Sequence, residues 1–166
     1  LTRCSATMAL GNGFARSRSS VQSISTLRQA SLFARAENYM DVAALTSYHI
    51  AHAYLRQGQL GNAQEELERT ISLLESNGDE KISHYKGVLY APLGEIELER
   101  NNLELAKEYL DKGLAGIRKL VSLEYECDVS VSLSQLKFAE QKFRDSLDIL
   151  ENALIVAHKF ENSRAI

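Results

Sequence analysis

The sequence predicts an all-helical solenoid of four stacked helix pairs, on three observations. The chain of 166 residues holds one proline and no tryptophan, which leaves little material for the turn-rich connections of a strand-built fold. Its apolar residues recur at steps of three and four, the spacing of one helix face, rather than at steps of two. A short block of sequence also returns along the chain, with a helix on either side of it.

The returning block is a polar break followed by a helix start. Gly58-Gln59-Leu60-Gly61-Asn62-Ala63 aligns with Asn101-Asn102-Leu103-Glu104-Leu105-Ala106, and that with Gln141-Lys142-Phe143-Arg144-Asp145-Ser146, at offsets of 43 and 40 residues. The same register carried upstream by 40 residues puts Ser23 in the position of Ala63. Before each break stands a small residue (Gly11, Ala51, Gly94, Ser134) that lets two helix backbones approach closely. At the break itself, Gly or Asn suits the left-handed conformation that ends a helix. After it the stripes Leu60, Ala63, Leu67, Ile71, Leu74, then Leu103, Ala106, Leu110, Leu114, Ile117, then Phe143, Leu147, Leu150, Leu154, Ala157 are expected to be core.

The spacing predicts helices over 3–17, 21–36, 41–57, 60–76, 81–100, 103–120, 123–140 and 143–160. Pro92 falls inside the fifth, where it removes a hydrogen bond and clashes with the carbonyl of Val88. A kink there, or a break preceding it, is expected, with the freed carbonyl offered to a ligand as the functional alternative. The eight helices form about four repeats, 1–38, 41–78, 81–120 and 122–160, in a single domain over 1–166. Helix pairs of this length and pattern define a tetratricopeptide-like (TPR-like) right-handed superhelical solenoid.

The charge is uneven. Residues before Glu37 carry Arg3, Arg16, Arg18, Arg28 and Arg35 with no acid, while the whole chain is at −3. An Arg- and Ser-rich start also reads as a targeting segment, which stands as the alternative to a first repeat. The chain opens on Leu1 rather than Met, as a piece of a larger protein would. No run approaches the roughly 18 to 20 apolar residues of a membrane span, and a cytoplasmic protein is expected. Cys4 and Cys127 belong to no metal-binding or redox spacing and read as small hydrophobes in a reducing compartment, with a disulfide or reactive thiol as the alternative.

The run Leu93-Gly94-Glu95-Ile96-Glu97-Leu98-Glu99-Arg100-Asn101-Asn102-Leu103-Glu104-Leu105-Ala106, continued by Tyr109-Leu110 and Gly113-Leu114, resembles a family. It is similar to the TPR-like region of large ATP-dependent LuxR-family transcription activators of the maltose-activator (MalT) type. The likeness extends over residues 45–160 and is weaker in Ala51 to Leu74 and again in Leu133 to Ala157. It implies a non-catalytic sensor module that binds an effector or a partner and controls self-association. The ATPase and helix-turn-helix parts of such proteins have no counterpart here: there is no phosphate-binding GxxxxGK[ST] and no basic recognition helix.

The first helix of each pair lines the concave face of a solenoid. Next to the small positions this places Asn12, His52, Glu95 and Gln135, with Arg16, Arg56, Glu99 and Ala139 one turn on and Met8, Tyr48, Ala91 and Val131 one turn before. The candidate groove is therefore Asn12, Arg16, Tyr48, His52, Arg56, Glu95, Glu99 and Gln135. It suits a small-molecule effector, hydroxyl-rich or charged, or a peptide. The bland alternative is a solvated helix layer with Arg56 paired to Glu95 or Glu99.

Catalysis and metal chemistry are not expected. His49 and His52 stand three apart but have no second pair of ligands facing them. Gly11-Asn12-Gly13 lacks the third glycine and preceding strand of a dinucleotide site. Glu95, Glu97 and Glu99 alternate between faces of a helix, and no nucleophile stands beside a base. The reading is thus a regulatory segment without metal, cofactor or direct nucleic-acid contact. The alternatives are a stand-alone scaffold for a peptide, or a self-associating spacer with an apolar open end. A helix-turn-helix encoded downstream would favour the regulator, and a stop codon just after Ile166 would contradict it.

Overall fold

The computed structural model describes residues 20–120 and 122–164 of the chain, and among these there is no strand. In chain order the helices are α1 (Ser20–Ala36), α2 (Met40–Leu55), α3 (Leu60–Asn77), the single turn α4 (Glu80–Ser83), α5 (Lys86–Glu99), α6 (Leu103–Leu120), α7 (Leu123–Ala139) and α8 (Phe143–Arg164). The helix expected over 3–17 lies outside the described residues. The chain divides into two compact units, Leu1–Leu89 and Tyr90–Ile166, with the boundary inside α5.

Three first helices end by the same device at the same repeat position. Gly58, Asn101 and Gln141 have φ of 69°, 58° and 61°. In each case the next N–H reaches back five residues, Gln59 to the Tyr54 carbonyl (3.0 Å), Asn102 to Glu97 (2.8 Å) and Lys142 to Lys137 (2.9 Å). This is the Schellman closure, which satisfies carbonyls that the ending helix leaves open. Only one of the three positions has glycine, and glutamine is the residue least suited to a left-handed backbone. Gln141→Gly is therefore expected to raise stability by about 0.5–1 kcal/mol, after the larger chain entropy of unfolded glycine is set against the relieved strain. A denaturation midpoint equal to or below that of the wild type would count against this.

In the first unit, α2 lies between α1 and α3 and is buried nearly all round. Its Ala43, Ala44, Ile50, Ala51 and Ala53 are fully buried. Small side chains at these positions let α1 and α3 close on it from both sides, α1 through Leu27, Ala30 and Ala34 and α3 through Ala63, Leu67 and Leu74.

In the second unit the backbones come closer still. A Cβ built on Gly94 would stand 2.6 Å from Leu110 Cγ, and one on Gly113 would stand 3.0 Å from the backbone nitrogen of Ala91. Ser134 uses its hydroxyl at the corresponding place on α7, bonding the carbonyl (3.1 Å) and the hydroxyl (2.8 Å) of Ser146. Ser146 stands 40 residues after Ala106, the offset that relates Ser134 to Gly94. The small positions expected at Ala51, Gly94 and Ser134 are all buried.

Two expectations require correction. The helix expected over 81–100 is interrupted, but at His84 and Tyr85 rather than at Pro92, which sits inside continuous α5. The restart uses tight three-residue bonds, Gly87 N–H to His84 O (3.1 Å) and Val88 N–H to Tyr85 O (3.2 Å). Val88 is fully buried, so its carbonyl is not offered to a ligand.

The second correction concerns α8. Phe143, Leu147, Leu150 and Leu154 are not core; they are 54, 60, 40 and 58% exposed. In α6 the equivalent of Leu150 is Leu110, which is fully buried. The helix α6 has α5 against it at Gly94 and packs on α7 as well, and α8 packs on α7. What α8 buries is Ser146, with Ile149, Ala153, Val156 and the expected core residue Ala157 half-buried.

Cys127 is a free, half-buried thiol whose Sγ lies 3.7 Å from the Ala153 carbonyl. Burial, Asp128 and Glu126 push its pKa up, which disfavours the reactive thiolate. Cys4 lies outside the described residues.

Candidate functional site

The expected groove residues fall into both units, and Asn12 and Arg16 lie outside the described residues. In the first unit Tyr48 and His52 come together on α2, ring centroids 4.3 Å apart and edge to face. The His49 ring also meets the tyrosine edge to face, at 5.2 Å. The tyrosine is only 4% exposed, so it supports His52 rather than presenting its own surface. Arg56 follows the end of α2 and is exposed.

In the second unit Glu95 is half-buried and accepts a hydrogen bond from Ser132 Oγ of α7 at 2.8 Å. Glu99 at the end of α5 and Gln135 on α7 are exposed. Gln135 lies between Val131 and Phe138 on one face of α7, and both of those are exposed too. Glu97, by contrast, faces inward and receives Arg100 Nη1 at 2.7 Å and Asn102 Nδ2 at 3.1 Å, closing the helix break from within. No group of three or more metal-ligating side chains occurs among the described residues.

A polar cluster absent from the sequence reading lies in the first unit, where α1, α2 and α3 meet. Glu66 of α3 is 5% exposed. Its Oε1 accepts from Ser47 Oγ of α2 at 2.8 Å and pairs with Arg35 Nη2 of α1 at 3.3 Å, while Oε2 accepts from Arg69. Thr70 joins the same group, 2.8 Å from Ser47 Oγ and 3.0 Å from Arg35 Nη2. Burial pulls the Arg35 pKa down from its usual value, Glu66 opposes this and Arg69 adds to it. The Arg35 Nε is buried with no hydrogen-bond partner in the structure.

These groups border a cleft of about 280 Å³ between α1 and α3, floored by Ile50 and bounded by Arg28, Arg35, Glu66 and Arg69. Arg28 also donates to the Tyr54 hydroxyl at 2.6 Å with its guanidinium 6.0 Å from the ring centre. Three guanidiniums around one buried carboxylate form a surface that can meet a further oxyanion, because each planar fork can present two parallel N–H donors. The sequence held a signal for this. Glu66 and Thr70 fall on the buried face of α3 beside Ala63, Leu67 and Leu74, and a carboxylate on a buried face needs a partner.

Helix pairs with these closures and close approaches define a TPR-like repeat protein. Across residues 1–165 the sequence matches the family described as the MalT-like TPR region. The chain belongs to that family. Among solved structures it is similar to the nearly identical TPR-like repeats of a kinesin light chain from Podospora anserina, at a TM-score of 0.62 and 16% identity, covering 95% of this chain and 76% of that one. At that identity the likeness concerns the fold alone. No curated protein matches the sequence.

Proposed function

We propose that the chain is the effector-binding TPR-like segment of a LuxR-type transcription regulator of the maltose-activator kind, acting in the cytoplasm by binding and without catalysis. The observation that carries this reading is the family match over residues 1–165. The surface most suited to an effector is the cleft between α1 and α3, where Arg28, Arg35 and Arg69 supply fixed positive groups and Ile50 an apolar floor. That combination fits a small organic molecule bearing a phosphate or carboxylate.

A thermal-shift panel of sugar phosphates, nucleotides and amino acids, each beside a neutral counterpart, tests this. A ligand present at 100 times its Kd is expected to stabilise the chain by about 2.7 kcal/mol. Stabilisation by the anionic compounds alone is the expected pattern. Stabilisation by neutral sugars alone would move the site to the His52 face. Silence across the panel would favour the second reading, a scaffold for a protein partner, to which the exposed apolar residues of α8 lend support. No described helix is long and apolar enough to cross a membrane.

A further inference from the structure

The cleft between α1 and α3 adjoins a second, smaller cavity. This one holds about 90 Å³ and is bounded by Arg28, Tyr54, Asn62, Glu65, Glu66 and Arg69. Arg28, Glu66 and Arg69 line both spaces and therefore stand between them. Each helix supplies these groups from one face. On α1, Arg28, Leu32 and Arg35 follow at steps of four and three, and on α3 Asn62, Glu66 and Arg69 repeat those steps with Glu65 beside them. Arg35 meets Glu66 and Thr70, whereas Arg28, two turns earlier, lines the smaller cavity with Asn62 and Glu65.

The two spaces differ in chemistry. The larger is walled by Leu32, 69% exposed, and by Ile50. The smaller is walled by the exposed carboxylate of Glu65 and by Asn62. Arg35 and Arg69 pair with Glu66 rather than with Glu65. The Tyr54 hydroxyl accepts from Arg28 at 2.6 Å and keeps its own hydrogen to donate. An apolar wall, a group of guanidiniums and an acid thus follow one another across the site.

We infer that the molecule held here is an α-amino acid with an apolar side chain of about the size of leucine. The inference rests on reading this cleft as the effector site, and it names what fills it. The carboxylate lies between Arg28 and Arg69, where two planar forks can grip it. The ammonium lies in the smaller cavity against Glu65, and the side chain runs over Leu32 toward Ile50. A phosphate monoester fits less well, because its second negative charge would be set beside Glu65 and Glu66. A zwitterion sets each of its charges against an opposite one. The two volumes together reach only the lower end of the roughly 300–1,000 Å³ of ligand sites, which suits a single amino acid.

Calorimetric titration of the chain with leucine, isocaproate and glycine tests the inference, with circular dichroism confirming that each variant stays folded. Isocaproate is leucine without its ammonium, and glycine is leucine without its side chain. Leucine is expected to bind one to one, and isocaproate about fivefold more weakly, the equivalent of one exposed ion pair. Glycine is expected to bind about tenfold more weakly than leucine, for want of an apolar side chain to bury. Glu65→Gln is expected to weaken leucine and to strengthen isocaproate, because the carboxylate that attracts the ammonium also repels the bare anion. Arg28→Ala/Arg69→Ala is expected to weaken both. Isocaproate that binds as well as leucine, and is lost in the arginine variant, would overturn the inference and leave the cleft an anion site. Leucine affinity that ignores Glu65→Gln, or glycine bound as tightly as leucine, would overturn it as well. If neither leucine nor any anionic compound of the panel binds, the effector reading of the cleft falls together with it.

Discussion

Glu66→Ala is expected to lower the stability of the chain by about 3 kcal/mol, read as the shift in a urea denaturation curve followed by circular dichroism. The carboxylate is 5% exposed and serves Ser47, Arg35 and Arg69 together. Removing it strands the Arg35 guanidinium, which is 22% exposed and already has one buried nitrogen without a partner. An uncompensated charge in that position costs more than the pair contributes when intact. Arg69 is 59% exposed, and water takes over most of its share. Glu66→Gln keeps the shape and an acceptor for Ser47 and is expected to lose less than half as much. Sulfate is expected to return part of the loss in the alanine variant, since the vacated guanidiniums then hold an oxyanion. A loss under about 1 kcal/mol would show that the three-helix junction is held by its apolar neighbours rather than by this network.

Gly94→Val is expected to cost a further large amount, about 2–3 kcal/mol or more, by a different route. The added Cβ would meet Leu110 Cγ at 2.6 Å and Cδ2 at 2.7 Å, with the Ala106 carbonyl at 3.2 Å behind them. Leu110 is fully buried and has no solvent to move into. The better helix propensity of valine over glycine recovers only a few tenths of a kcal/mol. Pairing the change with Leu110→Ala is expected to lose less than the sum of the two single changes, because the smaller side chain opens the space the valine needs. Full additivity in the double variant would mean that the two helices do not touch there. Gly61→Ala is the matched control: nothing lies within 4 Å of its added Cβ.

The fold was legible because the same physical requirements recur in every repeat. A left-handed residue must end the first helix, and Gly58, Asn101 and Gln141 occupy that place. A small residue must let the helices close, and Ala51, Gly94 and Ser134 do so. These demands are local and leave their mark in spacing, so helix limits could be read to within a few residues. The interruption at His84 and Tyr85 carries no glycine or proline to mark it, whereas Pro92, the residue that does break helices, is buried and accommodated within α5.

The candidate site was legible only in part. Reading first-helix residues beside the small positions found Glu95 and His52, but it could not foresee that Tyr48 would be covered or that Glu95 would be engaged by Ser132. The α1–α3 cleft depends on Arg28 and Arg35, which come from a different repeat than Glu66 and Arg69, and periodicity carries no information about which long side chains converge. The α8 stripe was misread for a related reason. A stripe of leucines at helical spacing specifies that a face will be buried if a partner is present, and says nothing about whether the partner belongs to the same chain.

The central functional claim is that an anionic small molecule is held by the guanidiniums between α1 and α3. Calorimetric titration of the wild-type chain and of the Arg28→Ala/Arg69→Ala variant, using the anionic compound that stabilises the protein most in the panel, tests it most directly. Both substituted residues are exposed, so the variant is expected to remain folded. The account predicts saturable one-to-one binding by the wild type and at least about a tenfold loss of affinity in the variant, the equivalent of one charge-assisted hydrogen bond. Equal affinity in the two proteins would contradict it.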